Sequence, residues 1–141
     1  MHFVVGKSVS VIENRAFFGC SSLLNFTFSE TVTSIGSFAF AECTELRQIT
    51  IPDSATEIGH YAFFKCLNLT KIYIPKNVKS IGNYAFLSCS SITEIEIPVS
   101  MIKIGSFAFD KCKSLKQITI TSSLTDIGNK AFPESANIIK V

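Results

Sequence analysis

The sequence contains few of the residues on which most catalytic and metal sites depend. It has only two histidines, His2 and His60, and neither belongs to a recognisable catalytic triad. The cysteines form no CxxC pair and have no neighbouring histidine, which argues against a zinc site. The GxGxxG, P-loop and HExxH motifs are also absent. These absences argue against the commonest enzyme classes, and no cofactor is expected.

Long apolar runs and a strong charge of one sign are missing as well. The longest apolar runs are a few residues, whereas a membrane helix needs about 20. The start, MHFVVGKSVSVIENRAF, has no signal-peptide hydrophobic region, so a chain that begins here is expected in the cytoplasm. The net charge of +2 is small, although residues 1–57 hold three basic and six acidic groups and residues 58–141 hold ten and five. We therefore expect neither membrane insertion nor a nucleic-acid partner.

What the sequence does contain is a repeat with a period of 23 residues. Several residue types keep the same register, which makes a chance alignment untenable. Cysteine recurs at Cys20, Cys43, Cys66, Cys89 and Cys112, and phenylalanine after alanine recurs at Phe17, Phe40, Phe63, Phe86, Phe109 and Phe132. Isoleucine followed by glycine recurs at Gly36, Gly59, Gly82, Gly105 and Gly128, and proline at Pro52, Pro75 and Pro98. A period of this length is typical of stacked supersecondary units in the leucine-rich-repeat range.

One copy of the repeat is too small to offset the entropy cost of ordering its own backbone, so the copies must stack and share a core. The sequence therefore predicts a repeat solenoid, a right-handed superhelix with one short parallel strand per repeat, turns and short 3₁₀ segments. We predict one domain over residues 1–141, with five full repeats and partial repeats at both ends.

Within a copy, alternation over Leu69 to Ile74 predicts a strand that Pro75 ends. Gly82 indicates either a positive φ or a close approach to the next coil, and residues 83–88 are expected to form a turn or 3₁₀ segment. The strands should make a single parallel sheet. They are predicted at 25–28, 48–51, 71–74, 94–97 and 117–120, with edge strands at 3–5 and 138–141.

Stacking turns each repeated position into a column along the solenoid. The phenylalanines listed above should form an aromatic spine, and Phe38, Tyr61, Tyr84 and Phe107 a second aromatic column. Five is an odd number of cysteines, and stacked side chains are too far apart for neighbouring disulfides, so we expect buried thiols. His60 is expected to face solvent. Atypical end copies indicate a nearly complete domain, yet residues 3–5 and 138–141 look like open apolar edges that could support self-association.

The residues that the repeat leaves free to vary are the candidates for recognition. On the exposed face of the sheet they form two columns with an aromatic residue and mixed charge at the centre, a composition typical of binding hot spots. These candidates are Gln48, Thr50, Lys71, Tyr73, Glu94 and Glu96. A simpler interpretation is that Lys71 and Glu94 only form a cross-strand ion pair.

The pattern resembles the BspA-like, or Treponema-type, leucine-rich repeats. A leucine, an Ile-x-Ile-Pro strand and then Val-x-x-Ile-Gly-x-x-Ala-Phe-x-x-Cys are matched in Leu46–Cys66 and Leu69–Cys89, except that Ala55 replaces the valine. The resemblance covers essentially the whole chain. It implies surface or secreted proteins of bacteria and parasitic protists, often adhesins, and it implies no catalytic residues. In a secreted chain, Asn25 and Asn68 would be glycosylation sequons.

We therefore predict a non-catalytic, protein-binding scaffold with an adhesin-like role. One alternative is an intracellular leucine-rich-repeat subunit that docks on a signalling enzyme. Another is a carbohydrate-active parallel β-helix, which would have three strands per coil and use Glu94 and Glu96 as its carboxylate pair.

Overall fold

The computed structural model describes all of residues 1–141, which form a parallel β-solenoid of about six turns without helices. Thirteen short strands alternate with turns along the chain. The strands are β1 (His2–Val4), β2 (Val11–Ile12), β3 (Asn25–Thr27), β4 (Ser34–Ile35), β5 (Gln48–Thr50), β6 (Glu57–Ile58), β7 (Lys71–Tyr73), β8 (Ser80–Ile81), β9 (Ile95–Glu96), β10 (Lys103–Ile104), β11 (Gln117–Ile120), β12 (Asp126–Ile127) and β13 (Asn137–Lys140).

Each complete coil contributes two strands, so the prediction of one strand per repeat is wrong. The first strand lies where the alternation predicts it, and the second is the two-residue segment immediately before each repeated glycine. These second strands pair in parallel as one six-stranded sheet in the order β12-β10-β8-β6-β4-β2, which we call the second sheet. Two residues are too few to show alternation, and the sequence therefore indicated only an apolar pair at which the chain turns.

The strands of the other side, which we call the first sheet, are not continuous. They form a four-stranded part, β1-β3-β5-β7, and a three-stranded part, β13-β11-β9. The amide of Thr70 donates to the carbonyl oxygen of Arg47 at 2.9 Å, whereas the equivalent amide of Thr93 has no backbone partner in the preceding coil. We call the junction between β7 and β9 the seam. The prediction of a single sheet is wrong at the seam. The sequence could not reveal this break, because the repeat pattern is the same on both sides of it.

The third side of each coil is a series of turns and contains no 3₁₀ segment. A 3₁₀ helix needs consecutive residues with negative φ, but Tyr84 and Ser88 have φ of 58° and 64°. Left-handed residues recur at the same two positions in every interior coil, which excludes the predicted 3₁₀ geometry. The amide midway between them reaches the next coil, as when Phe63 donates to the carbonyl oxygen of Ala85 at 2.7 Å, while the amides on either side of it bond within the coil.

The aromatic spine predicted from the sequence lies at the centre of one continuous apolar core. The rings of Phe40 and Phe63 are 5.3 Å apart and 1° from parallel, and those of Phe63 and Phe86 are 5.1 Å apart. Offset parallel stacking of this kind adds to the stabilisation from burial. The second aromatic column is also stacked but only half-buried, and the guanidinium of Arg15 lies 5.3 Å from the centre of the Phe38 ring.

The repeated glycines allow neighbouring coils to approach closely. A Cβ atom on Gly82 would lie 2.6 Å from the backbone nitrogen of His60 and 2.7 Å from the carbonyl carbon of Gly59. No real Cβ atom tolerates such distances to backbone atoms, and the φ of Gly82 is not in the left-handed region. Of the two roles predicted for this glycine, the structure therefore shows the close approach.

The cysteines are free thiols, and four of the five are buried. Each buried thiol donates to a carbonyl oxygen, as Cys66 does to Phe40 at 3.1 Å and Cys89 to Phe63 at 3.0 Å. Burial raises the pKa of Cys43 and of Cys112 to about 12, so both stay protonated near neutral pH. The predicted column of structural thiols is confirmed.

Candidate functional site

The six side chains proposed from the sequence line one shallow depression of about 480 Å³ on the first sheet. Parallel pairing places Gln48 beside Lys71 and Thr50 beside Tyr73, and the third pair of residues belongs to the next coil, across the seam. All six are exposed. Their apolar neighbours along the strands point inward and are buried, so the depression has an apolar floor; these are Ile49, Ile72, Ile74 and Ile95.

Tyr73 is the most prominent apolar group in the depression, with 54% of its surface exposed. Nothing in the core requires an aromatic ring at this position, because the equivalent residue of the preceding coil is Thr50. An exposed ring with an apolar body and a polar hydroxyl is the kind of group that contributes strongly to protein interfaces.

The charges around Tyr73 have no ion-pair partners within the chain. The structure contains two ion pairs, Lys65 with Glu42 at 3.5 Å and Lys103 with Asp126 at 3.1 Å. Lys71 and Glu94 are not among them, so the interpretation of these two residues as a cross-strand ion pair is wrong. One lysine and two glutamates are therefore free to pair with groups on another molecule.

The structure departs from two features that the β-helix enzyme hypothesis requires. Glu94 and Glu96 lie on an open, shallow surface and not in an enclosed cleft of the kind that holds the carboxylate pair of a glycosidase. The coils also have two strands where the β-helix enzyme hypothesis required three. No group of three or more His, Cys, Asp or Glu side chains could hold a metal ion, and no helix is long and apolar enough to cross a membrane.

His60 is exposed, as predicted, but it has a structural role that the sequence did not indicate. Its Nδ1 atom accepts a hydrogen bond from the backbone amide of Asn83 at 2.8 Å. The residue at the same position of other coils acts similarly, since Asn83 Oδ1 accepts from the amide of Ser106 at 2.9 Å. The recurrence of small polar acceptors after the repeated glycine is the signal that could have revealed this.

Both ends of the solenoid expose apolar side chains. Eight of the ten residues around a cavity of about 320 Å³ at the N-terminal end are hydrophobic, among them Phe3 and Val11. At the other end Ile127 and Ile138 are 43% and 42% exposed. Self-association through residues 3–5 and 138–141 remains a prediction.

A family model described as the BspA type leucine rich repeat region matches residues 7–139 in six copies. The chain belongs to this family. The predicted membership of the BspA-like leucine-rich repeats and the predicted solenoid fold are thereby confirmed.

Crystal structures of leucine-rich-repeat proteins from two bacteria are similar to this chain. A leucine-rich-repeat protein of Treponema pallidum is 31% identical, with a TM-score of 0.82, over 97% of this chain and 72% of that protein. A leucine-rich-repeat protein of Bacteroides ovatus is 26% identical, with a TM-score of 0.89, over 99% of this chain.

The chain spans only 37% of the length of the Bacteroides protein. No curated protein matches the sequence. The comparisons therefore identify the fold and the family, and they name no partner.

Proposed function

We propose that this chain is a non-catalytic scaffold that binds another protein through the depression on the first sheet. The observation that carries the proposal is the convergence of six exposed side chains, with unpaired charge beside Tyr73, at positions on which the core imposes no requirement. A fold built from repeats supports it, because solenoids commonly recognise partners through extended, repeat-built surfaces.

The contact that we propose combines an apolar anchor with charge recognition. Tyr73 would insert into a pocket of the partner, and Lys71 would face an acidic group. Glu94 and Glu96 would face a basic group of the partner on the other side of the seam. An exposed tyrosine that becomes fully desolvated can contribute 2 kcal/mol or more, on the order of other hot-spot residues.

Affinity capture from extracts of the source cell tests this proposal. The bait would be the wild-type chain and the triple variant Lys71→Ala, Tyr73→Ala and Glu96→Ala. We expect at least one protein to be retained by the wild type and lost with the variant, followed by direct measurement of its affinity for both. Since all three side chains are exposed, circular dichroism and the free energy of unfolding should be nearly unchanged.

A matched control removes one lysine, one large apolar residue and one glutamate elsewhere. Lys113, Leu67 and Glu45 are exposed and lie in the loops that follow the repeated cysteines. Their replacement by alanine should leave binding intact. Equal binding by the wild type and the Lys71, Tyr73 and Glu96 variant would refute the assignment of the depression.

The biological role that we propose is adhesion-type, because the resemblance to BspA-like repeats implies surface proteins. Fractionation and surface labelling of intact source cells test this role separately from binding. Protease-accessible protein on intact cells supports it. A protein confined to the cytosol contradicts it and favours the intracellular subunit.

A further inference from the structure

A second polar surface lies along the edge of the second sheet and is not part of the proposed site. It consists of three adjacent columns of residues. One column is the residue after each proline position, the next is the residue before the second strand of each coil, and the third is the first residue of that strand. We call it the charged strip; its charged members are Lys7, Glu30, Asp53, Glu57, Lys76, Lys79, Lys103 and Asp126.

Hydrogen bonds between coils show that these residues are neighbours in space. The amide of Lys79 donates to the carbonyl oxygen of Thr56 at 3.0 Å, and the amide of Ile102 donates to the carbonyl oxygen of Lys79 at 2.9 Å. Parallel pairing aligns Glu57 with Ser80 and Ser80 with Lys103. The strip is therefore continuous across the coils.

The four complete coils of the charged strip divide into two halves of opposite charge. Glu30, Asp53 and Glu57 belong to the first two complete coils, and Lys76, Lys79 and Lys103 belong to the next two, whereas Lys7 and Asp126 lie in the end coils. Within the strip the one ion pair joins Lys103 to Asp126 at 3.1 Å. The strip thus presents unpaired negative charge on one side of its centre and unpaired positive charge on the other.

Such a strip is complementary to itself. A two-fold axis between the second and third complete coils would place Asp53 and Glu57 of one copy opposite Lys76 and Lys79 of another. The same rotation would place Val99 and Ile102, which are 71% and 48% exposed, over the first complete coil of the partner. We propose that two copies of this chain associate side by side and antiparallel through the charged strip.

The expected affinity is low and depends on salt. Five spacings of about 4.8 Å between coils give a strip about 24 Å long. Six residues of each coil, at about 3.3 Å per residue, give the strip and the second sheet together a width of about 20 Å. That area, roughly 500 Å² per copy and 1,000 Å² in total, is at the lower limit for specific interfaces. Since opposite charges supply much of the attraction, screening by salt should weaken the dimer. The depression on the first sheet is not part of this interface.

Sedimentation equilibrium of the 141-residue chain tests the proposal. At low ionic strength we expect a monomer–dimer equilibrium whose dissociation constant rises about tenfold in high salt. An isologous contact closes at the dimer, whereas an end-to-end contact continues to larger species. A chain that is monomeric at low salt and high concentration, or an open-ended series of oligomers, would overturn the proposal.

Charge reversal provides the decisive comparison. The variant Lys76→Glu with Lys79→Glu makes the strip acidic, and the variant Asp53→Lys with Glu57→Lys makes it basic. We expect each variant alone to be monomeric and an equimolar mixture of the two to form dimers. As a control, Lys113→Glu with Lys116→Glu alters the same number of exposed lysines outside the strip and should leave the wild-type equilibrium unchanged. A mixture that stays monomeric would overturn the proposal.

Discussion

At the scale of single residues, the repeat divides the chain into positions fixed by the core and positions free to vary. Phe63 belongs to the first kind: it is 0% exposed and stacks between Phe40 and Phe86. Tyr73 belongs to the second kind and is 54% exposed. The two aromatic residues are ten positions apart, yet the structure predicts opposite consequences when each is removed.

We expect Phe63→Ala to lower the free energy of unfolding by about 3–5 kcal/mol, because it leaves a cavity in a column that has no room to collapse. Tyr73→Ala should change it by about 0.5 kcal/mol or less, since the side chain is largely exposed and stacks on no other aromatic ring. Equilibrium unfolding in urea measures both. A loss below about 1 kcal/mol for Phe63→Ala would mean that the aromatic spine is not in the core.

The sequence was sufficient to predict the roles of residues that recur in register. The stacked phenylalanines, the buried thiols and the exposure of the six candidate residues all followed from the period. It was not sufficient for backbone geometry: Phe38, Tyr61 and Phe107 have φ between 56° and 57°, which is unusual for bulky residues. Propensity disfavours that conformation, and only the bonds between coils impose it.

At the scale of elements, the first strand of each coil was predicted within one or two residues and the second strand was missed. The second strands are two residues long, and only pairing with the neighbouring coils makes them a sheet. The seam was missed for a related reason, because pairing across it would use the same apolar pattern as pairing elsewhere. Hydrogen bonds between coils are tertiary interactions, and a repeat pattern shows only that they are possible.

The seam predicts a local difference in protection from hydrogen exchange. Residues 93–97 lack the backbone bonds to the preceding coil that residues 47–51 have, starting with the amide of Arg47, which donates to the carbonyl oxygen of Leu24 at 3.3 Å. Amides without a backbone hydrogen-bond partner exchange through local openings that cost less free energy. We expect exchange in residues 93–97 to be about tenfold faster or more, measured by mass spectrometry.

The comparison uses equivalent positions of the same repeat, so differences in solvent exposure are small. Residues 57–58 and 103–104, which lie in the continuous second sheet, serve as a protected reference. Equal protection of 93–97 and 47–51 would mean that the first sheet is continuous in solution.

At the scale of the whole molecule, coils laid on one another in a constant frame explain the core, the sheets and the surfaces. The binding role of the depression could be proposed from the sequence, because it depends on which positions are free. The charged strip could not, because its columns belong to a strand and a turn that the sequence did not resolve. Its asymmetry was visible only as a mild excess of acidic residues before position 58 and of basic residues after it.

The constant frame is the central claim, and deletion of one complete period tests it most directly. Removing residues 21–43 joins Cys20 to Thr44 in the correct register and keeps all six candidate residues, whereas removing residues 21–32 shifts the register by about half a coil. Thermal unfolding followed by circular dichroism compares the two. We expect the 23-residue deletion to fold and unfold cooperatively as a shorter solenoid, and the shorter deletion to lose that transition. Loss of cooperative folding in the 23-residue deletion to the same extent as in the shorter one would contradict the account.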